Sequence, residues 1–245
     1  MHRSLKSRGM SHSEPTRGEV PVHLRPTATL AERVLLPGDP GRALALAQSL
    51  LVAPRMFNHH RGLWGYTGAA SDGEPLTVQA TGMGGPSAAI VLSELIALGA
   101  RRAIRVGTCG ALDPSLAPGE LVVARESICD DGTSRALGAR ERIAADPSLT
   151  ETLARCAPSA HPGTIVSVDL FYDNGHRRGA DEALAIEMET AALFAVGAAA
   201  SVPVACILAV SDTFDSSGAR HHIDDHSLLD AAERMGAAAV MALSP

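Results

Sequence analysis

Three times in this chain a short apolar run gives way to glycine. Residues 34–36 lead into Pro37-Gly38-Asp39-Pro40-Gly41-Arg42, residues 76–80 into Thr81-Gly82-Met83-Gly84-Gly85-Pro86, and residues 103–106 into Gly107-Thr108-Cys109-Gly110. The first two are followed by helical stretches, 41–50 and 86–98. The second opens on a proline, which a helix tolerates in its first turn because the missing N–H has no partner there. Runs that are continuously apolar belong to strands buried on both faces, so the chain is predicted to be α/β, with helices on each side of a sheet. Further strands are expected at 64–69, 121–124, 164–168 and 204–210, and further helices over 147–156, 185–200 and 228–242. Residues 1–20 are polar and aperiodic and read as a disordered N-terminal extension. No linker divides 21–245, which reads as one domain.

Composition narrows the chemistry. Aromatic residues make up 3% and the net charge is −6, which argues against a nucleic-acid partner. Lys6 is the single lysine among 21 basic residues, so a P-loop lysine is absent and Schiff-base chemistry is disfavoured. Cys109, Cys129, Cys156 and Cys206 form no C-x-x-C pair, consistent with free thiols in a reducing cytoplasm. No apolar leader is visible. The uncharged stretch 191–210 is interrupted by Ser201 and Pro203 and reads as a buried helix, a turn and a buried strand, not as a membrane span.

Several groups carry chemistry. A turn between strand and helix presents backbone N–H groups to an anion, and Arg42 adds a guanidinium beside them. Arg105 lies inside an apolar strand, where a charge needs a partner, and the Gly107–Gly110 segment after it reads as a second turn at the carboxyl end of a strand, where open α/β sheets bind ligands. The Gly82–Gly85 loop lacks the spacing of a dinucleotide fingerprint and reads as a place of close backbone approach. Glu187 and Glu189, at i and i+2, read as lying on different sides of a helix start. Asp212 ends the most apolar strand, where a low-dielectric setting would raise its pKa and keep it protonated as a general acid. His59-His60 and His221-His222 read as surface histidines; no metal site is expected.

Taken in order, Gly38-Asp39-Pro40-x-Arg42, His60-Arg61-Gly62, Gly82-Met83-Gly84-Gly85-Pro86-Ser87, Arg105-Val106-Gly107-Thr108-Cys109-Gly110-Ala111, Ser167-Val168-Asp169-Leu170-Phe171-Tyr172, Glu187-Met188-Glu189 and Ser211-Asp212 resemble the nucleoside phosphorylase family, in the branch of hexameric bacterial purine nucleoside phosphorylases and uridine phosphorylases. The resemblance implies a three-layer α/β/α domain around a central mixed, twisted sheet. It implies reversible phosphorolysis of a nucleoside to free base and pentose 1-phosphate, with inorganic phosphate as co-substrate and no cofactor. It places phosphate on Gly38, Arg42, Arg105 and Thr108, with Arg61 reaching a neighbouring subunit's site. His23 resembles the histidine that a neighbour lends to the ribose 5′-hydroxyl. Glu189 would bind the ribose hydroxyls and Met188 would pack on the sugar. Phe171, with Glu187 nearby, would meet base or sugar, and Met83 and Ser211 fall among the nucleoside-binding positions. Asp212, supported by Arg220, would protonate the base. Sites shared in this way imply a homo-oligomer, a trimer of dimers.

Ser211-Asp212 and the short segment between Tyr172 and Ile186 match the purine pattern. Gly84-Gly85-Pro86-Ser87, Thr108 and Asp131-Gly132-Thr133-Ser134 resemble the uridine enzymes, and Arg177, in the loop, could read a pyrimidine. The expectation is a purine nucleoside phosphorylase. A pyrimidine phosphorylase, a hydrolytic nucleosidase and a non-catalytic nucleoside-binding protein are the alternatives, in that order.

Overall fold

The computed structural model describes residues 21–172, 179–214 and 219–244; Arg177 lies outside the described residues. The strands are β1 (Arg33–Leu36), β2 (Val52–Asn58), β3 (Gly65–Ala69), β4 (Pro75–Gln79), β5 (Arg102–Ala111), β6 (Leu121–Asp130), β7 (Arg142–Ala144), β8 (His161–Val168), β9 (Ala185–Glu187), β10 (Val204–Phe214) and β11 (Arg220–His222). The helices are α1 (Pro40–Leu50), α2 (Gly85–Leu98), α3 (Gly132–Ala136), α4 (Pro147–Cys156), α5 (Thr190–Ala200) and α6 (Asp225–Leu243).

All these strands join one mixed sheet with β5 at its heart. β5 runs parallel to β1 on one side and to β10 on the other, and its far end pairs antiparallel with β9. From β1 the sheet continues through β4 and β3 to β2. From β10 it passes through β6 and β8 to β9, which returns to β5. Five strands therefore close a circuit, while the rest of the sheet stays open.

Alternation along the strands sorts two cores. In β10, Ala205, Ile207 and Ala209 pack with Ala43 and Leu46 of α1, Leu153 of α4 and Met235 of α6. Val204, Cys206, Leu208 and Val210 point the other way, into Val91 and Leu92 of α2 and Leu193 of α5. Helices thus cover both faces, as the continuous apolar runs require. Side-chain caps set the helix starts. Asp39, Asp146 and Asp224 accept from the backbone N–H of Arg42, Leu149 and Ser227, each worth about 1 kcal/mol.

Two local expectations are corrected. The Gly107–Gly110 segment is not a turn. β10 pairs with β5 residue by residue as far as Val210 opposite Cys109, so the sheet satisfies the backbone of these residues, and the glycines serve close packing. Nor do Glu187 and Glu189 lie within a helix. Ala185–Glu187 is a strand bonded to β5 and β8, and α5 begins at Thr190. Glu187 itself ends the helix there: its carboxylate accepts the N–H groups of Glu189 (2.9 Å) and Thr190 (3.0 Å), donors that a preceding helical turn would have taken. Residues 52–58, 142–144 and 220–222 also form strands that the apolar pattern does not mark.

Candidate active site

Arg105 is the hub. It stands in mid-β5, almost wholly buried, and its guanidinium meets both carboxylates of the Glu187-Met188-Glu189 segment. Nη2 donates to Glu189 Oε2 at 2.5 Å, and Nε lies 3.1 Å from Glu187 Oε2. The two glutamates converge on one cation because they flank the strand-to-helix junction. Burial would lower the pKa of Arg105, but Glu189 and Glu187 outweigh it and hold the group above its ordinary value. Glu189 is pushed upward by burial and by the charge of Glu187, against the opposing pull of Arg105. Glu187 is spoken for on the protein side, by Ser167 Oγ, two backbone N–H groups and Arg105. Among the described residues, two buried nitrogens of Arg105 lack a hydrogen-bond partner: Nε, which only faces Glu187, and Nη1. A buried guanidinium N–H without an acceptor is costly, and an anion would relieve it.

Gly107 makes this placement possible. A Cβ there would sit 2.7 Å from Arg105 Cζ and Nη2, so the guanidinium lies folded over Gly107, displaced along β5 from its own Cα. The glycine loop closes the other side. Gly84, at φ 84°, donates its N–H to Glu189 Oε1 at 2.5 Å. The Gly82 N–H bonds Gly38 O at 3.0 Å, tying the loop to the β1–α1 turn. Arg42, in the first turn of α1, is depressed in pKa by burial; Asp39 opposes this and the charge of Arg105 adds to it. Two guanidiniums are thus held near enough to repel. Thr108 is half-buried on β5, three residues beyond Arg105 and level with Ala209. The thiols here are not nucleophiles, since burial pushes Cys109 well up and Cys206 up to about 12.

A second cluster lies farther along the same strand pair. The β10 register slips between Val210 and Asp212, leaving Ser211 as an extra residue and setting Asp212 opposite Gly110; such bulges re-aim side chains beside active sites. Asp212 Oδ1 accepts from Arg220 Nε (2.6 Å) and lies 2.7 Å from His222 Nδ1, while Oδ2 accepts from Ser211 Oγ (2.7 Å). Arg220 Cζ stacks 4.9 Å over the Phe171 ring, and Phe171 meets Tyr172 edge-on. The expected rise in the pKa of Asp212 is corrected. Burial does push it up, but hydrogen bonds from Arg220, His222 and Ser211 together bring it below the ordinary carboxylate value. His222 is exposed, as a surface histidine should be, and its imidazole also engages Asp212.

His23 and Arg61 come together elsewhere. With Leu63, Ser87, Ile90 and Val91 they line a cavity of about 270 Å³. Glu94 fixes His23 by accepting the N–H groups of Val22, His23 and Leu24 (2.7–3.1 Å) and facing His23 Nδ1 at 2.7 Å. Arg61 adopts a left-handed φ of 60°, strain that non-glycine residues accept where position matters. Met83 is among the most exposed large apolar side chains, and Met188 packs partly buried against the Ile128, Val166 and Ile186 cluster.

A family model described as the phosphorylase superfamily matches residues 32–244. The chain belongs to the phosphorylase superfamily. Among curated proteins it is 36% identical to the DeoD-type purine nucleoside phosphorylase of Geobacillus kaustophilus, over 76% of this chain and 83% of that protein. It is 34% identical to the protein of the same name from Alkaliphilus metalliredigens, over 77% and 85%. The one from Bacillus thuringiensis is also 34% identical, over 82% and 86%.

In this superfamily member, two side chains escape a motif-based reading. His222 is signalled only by its spacing: Arg220 and His222 are i and i+2 on one strand, hence on one face. Glu94 sits in an otherwise apolar helical run, and its partners lie seventy or so residues earlier. Among the described residues, no group of three or more His, Cys, Asp or Glu side chains is placed to hold a metal ion, and no helix is long and apolar enough to cross a membrane.

Proposed function

We propose that the protein catalyses reversible phosphorolysis of purine nucleosides, with inorganic phosphate as the nucleophile and free base and pentose 1-phosphate as products. The buried, unpartnered Nη1 of Arg105 carries this reading. Arg105 is already balanced by two glutamates, so a divalent anion at Nη1 needs further positive charge. Arg42 supplies one, with the Gly38 turn and Thr108 beside it. Arg61 supplies another from a neighbouring subunit, along with His23 for the ribose 5′-hydroxyl. The exposed apolar side chains Ile90, which lines that cavity, and Val22 and Trp64, next in the chain to its His23 and Leu63, suit such an interface, and we read the assembly as a trimer of dimers. The free cysteines suit a cytoplasmic setting.

The sugar lies between the two clusters. From Gly107, under the Arg105 guanidinium, to Gly110, beside Asp212, is three residues of strand, about 10 Å. Glu189 orients the ribose hydroxyls from the anion end, with Met83 and Met188 flanking the ring. As the C1′–N bond breaks, the sugar gains oxocarbenium character, and the phosphate stabilises that cation before capturing it. Phe171 and the Asp212–Arg220 pair, backed by Ser211, receive the base. Glu187 acts at one remove, by holding Arg105 and the start of α5. The purine names of the relatives, together with Asp212 at the base end, favour purines over pyrimidines.

Product analysis on inosine, adenosine and uridine, with and without phosphate, tests the proposal. Base release from inosine or adenosine that requires phosphate and yields pentose 1-phosphate is expected. Equal release without phosphate would make the protein a hydrolase, and preference for uridine would move it to the pyrimidine branch.

A further inference from the structure

Protonation of the leaving purine at N7 needs a proton that the ground-state cluster around Asp212 does not offer. Arg220 does not release one, the Ser211 hydroxyl is a far weaker acid than a purine needs, and the Cys109 thiol beneath is pushed still higher by burial. Among the described residues, the remaining group in contact is an imidazole, the side chain that ordinarily exchanges a proton between pH 5 and 8. We infer that His222 is the proton-supplying and positioning residue for Asp212: it loads the carboxylate with the proton that the base takes at each turnover. The inference rests on the purine phosphorolysis proposed above.

The geometry is specific. β11 folds back antiparallel on β10 and sets His222 directly opposite Asp212. The Ile223 N–H bonds Ser211 O at 2.9 Å and locks that register. His222 Nδ1 is 2.7 Å from Asp212 Oδ1, while its side chain remains about half exposed (54%), so one ring nitrogen faces the acid and the ring stays in reach of water. Arg220 shares the same oxygen, Ser211 holds the other, the Tyr172 phenol lies toward Arg220, and Asp224 is occupied capping α6. His221 points to the opposite face of β11 by alternation. In the reaction the phosphate oxygen bonds C1′ and the C1′–N9 electron pair enters the purine. N7 takes the proton from Asp212, and His222 replaces it. The balance closes because hydrogen phosphate gives up one proton on forming the ester and His222 recovers one from water.

The test compares inosine with 7-methylinosine, whose alkylated base departs without a proton. His222→Gln keeps a hydrogen-bond donor beside Asp212 but carries no exchangeable charge; His222→Ala removes both. Both variants should lower kcat on inosine by about 100-fold or more and flatten its pH profile near neutrality, with 7-methylinosine turnover within about twofold of wild type, which also reports intact folding. Asp212→Asn, at the group that meets the base, should lose inosine turnover at least as far. Wild-type inosine turnover by His222→Gln would reduce His222 to a hydrogen-bonding prop and overturn the inference, as would equal losses on both substrates. If Asp212→Asn itself spares inosine, or the wild-type protein does not phosphorolyse it, the parent reading fails first and separably.

Discussion

Replacing Gly107 by alanine adds one methyl group at the most constrained point of the site. Its Cβ would stand 2.7 Å from Arg105 Cζ and Nη2 and 3.0 Å from Nε, where carbon contacts ordinarily lie at about 3.5–4.0 Å. The guanidinium must therefore retreat by about 1 Å. It cannot do so freely, because Glu189 holds Nη2 at 2.5 Å and Glu187 lies 3.1 Å from Nε, and both carboxylates are themselves buried and bonded. Overpacking of this kind costs about 1–3 kcal/mol, which for a domain of this size lowers Tm by about 2–4 °C per kcal/mol. A displacement of about 1 Å at a positioning group lowers turnover by about 100-fold. Hypoxanthine release from inosine across a phosphate series, with a thermal melt on the same preparation, measures both. The expected result is a folded protein with a raised phosphate KM and a much reduced kcat. Wild-type phosphate kinetics, whether or not Tm falls, would show that Arg105 does not hold the anion where Gly107 lets it lie.

Arg33 and Asp72 form a two-pronged pair with both contacts at 2.6 Å, and Arg33 holds the Asp72 carboxyl well below the usual carboxylate range. Asp72→Asn strands a buried guanidinium and should cost about 2 kcal/mol at pH 7. Because the folded-state pKa is depressed, this contribution is full above the unfolded value of about 3.9 and is lost as pH falls through the folded one. The Tm gap between variant and wild type should therefore narrow below about pH 4; a gap constant from pH 7 to 3 would contradict the pairing. Glu94→Gln should loosen residues 22–24 and raise the rate of chymotryptic cleavage after Leu24, whose N–H Glu94 holds, about tenfold, equivalent to about 1.4 kcal/mol of local opening. Unchanged cleavage would mean that the Glu94 carboxylate does not hold this segment.

The helices were legible where residues act on their own backbone. Pro40, Pro86 and Pro147 mark first turns, and Asp39 and Asp146 cap the first and last of these. The need for a partner at Arg105 was legible too, because an unpaired charge in an apolar strand is untenable. That both partners would come from one acidic segment was not, since an Ala-rich run after Glu189 reads as a helix extending back over it. Only Glu187 bonding the first N–H groups of α5 stops that extension. Long-range pairings were the least visible. His222 reaches Asp212 through the return of β11, and residues 107–110 are held in a strand by β10; neither fact is written in the local pattern.

The contacts that define the site join stretches made at very different moments. Glu189 follows Arg105 by 84 residues, and the Gly84–Glu189 and Ser211–Cys109 bonds span 105 and 102. At a synthesis rate of about 5–20 residues per second, the ribosome finishes Glu189 about 4–17 s after Arg105. Throughout that interval the central strand carries a cation with neither counter-ion made, and β10, its main apolar neighbour, is also still to come. The strand cannot bury itself early without paying to desolvate Arg105 alone. The arrangement that serves an anion in the finished protein therefore holds the centre of the nascent sheet open until the last third of the chain has emerged.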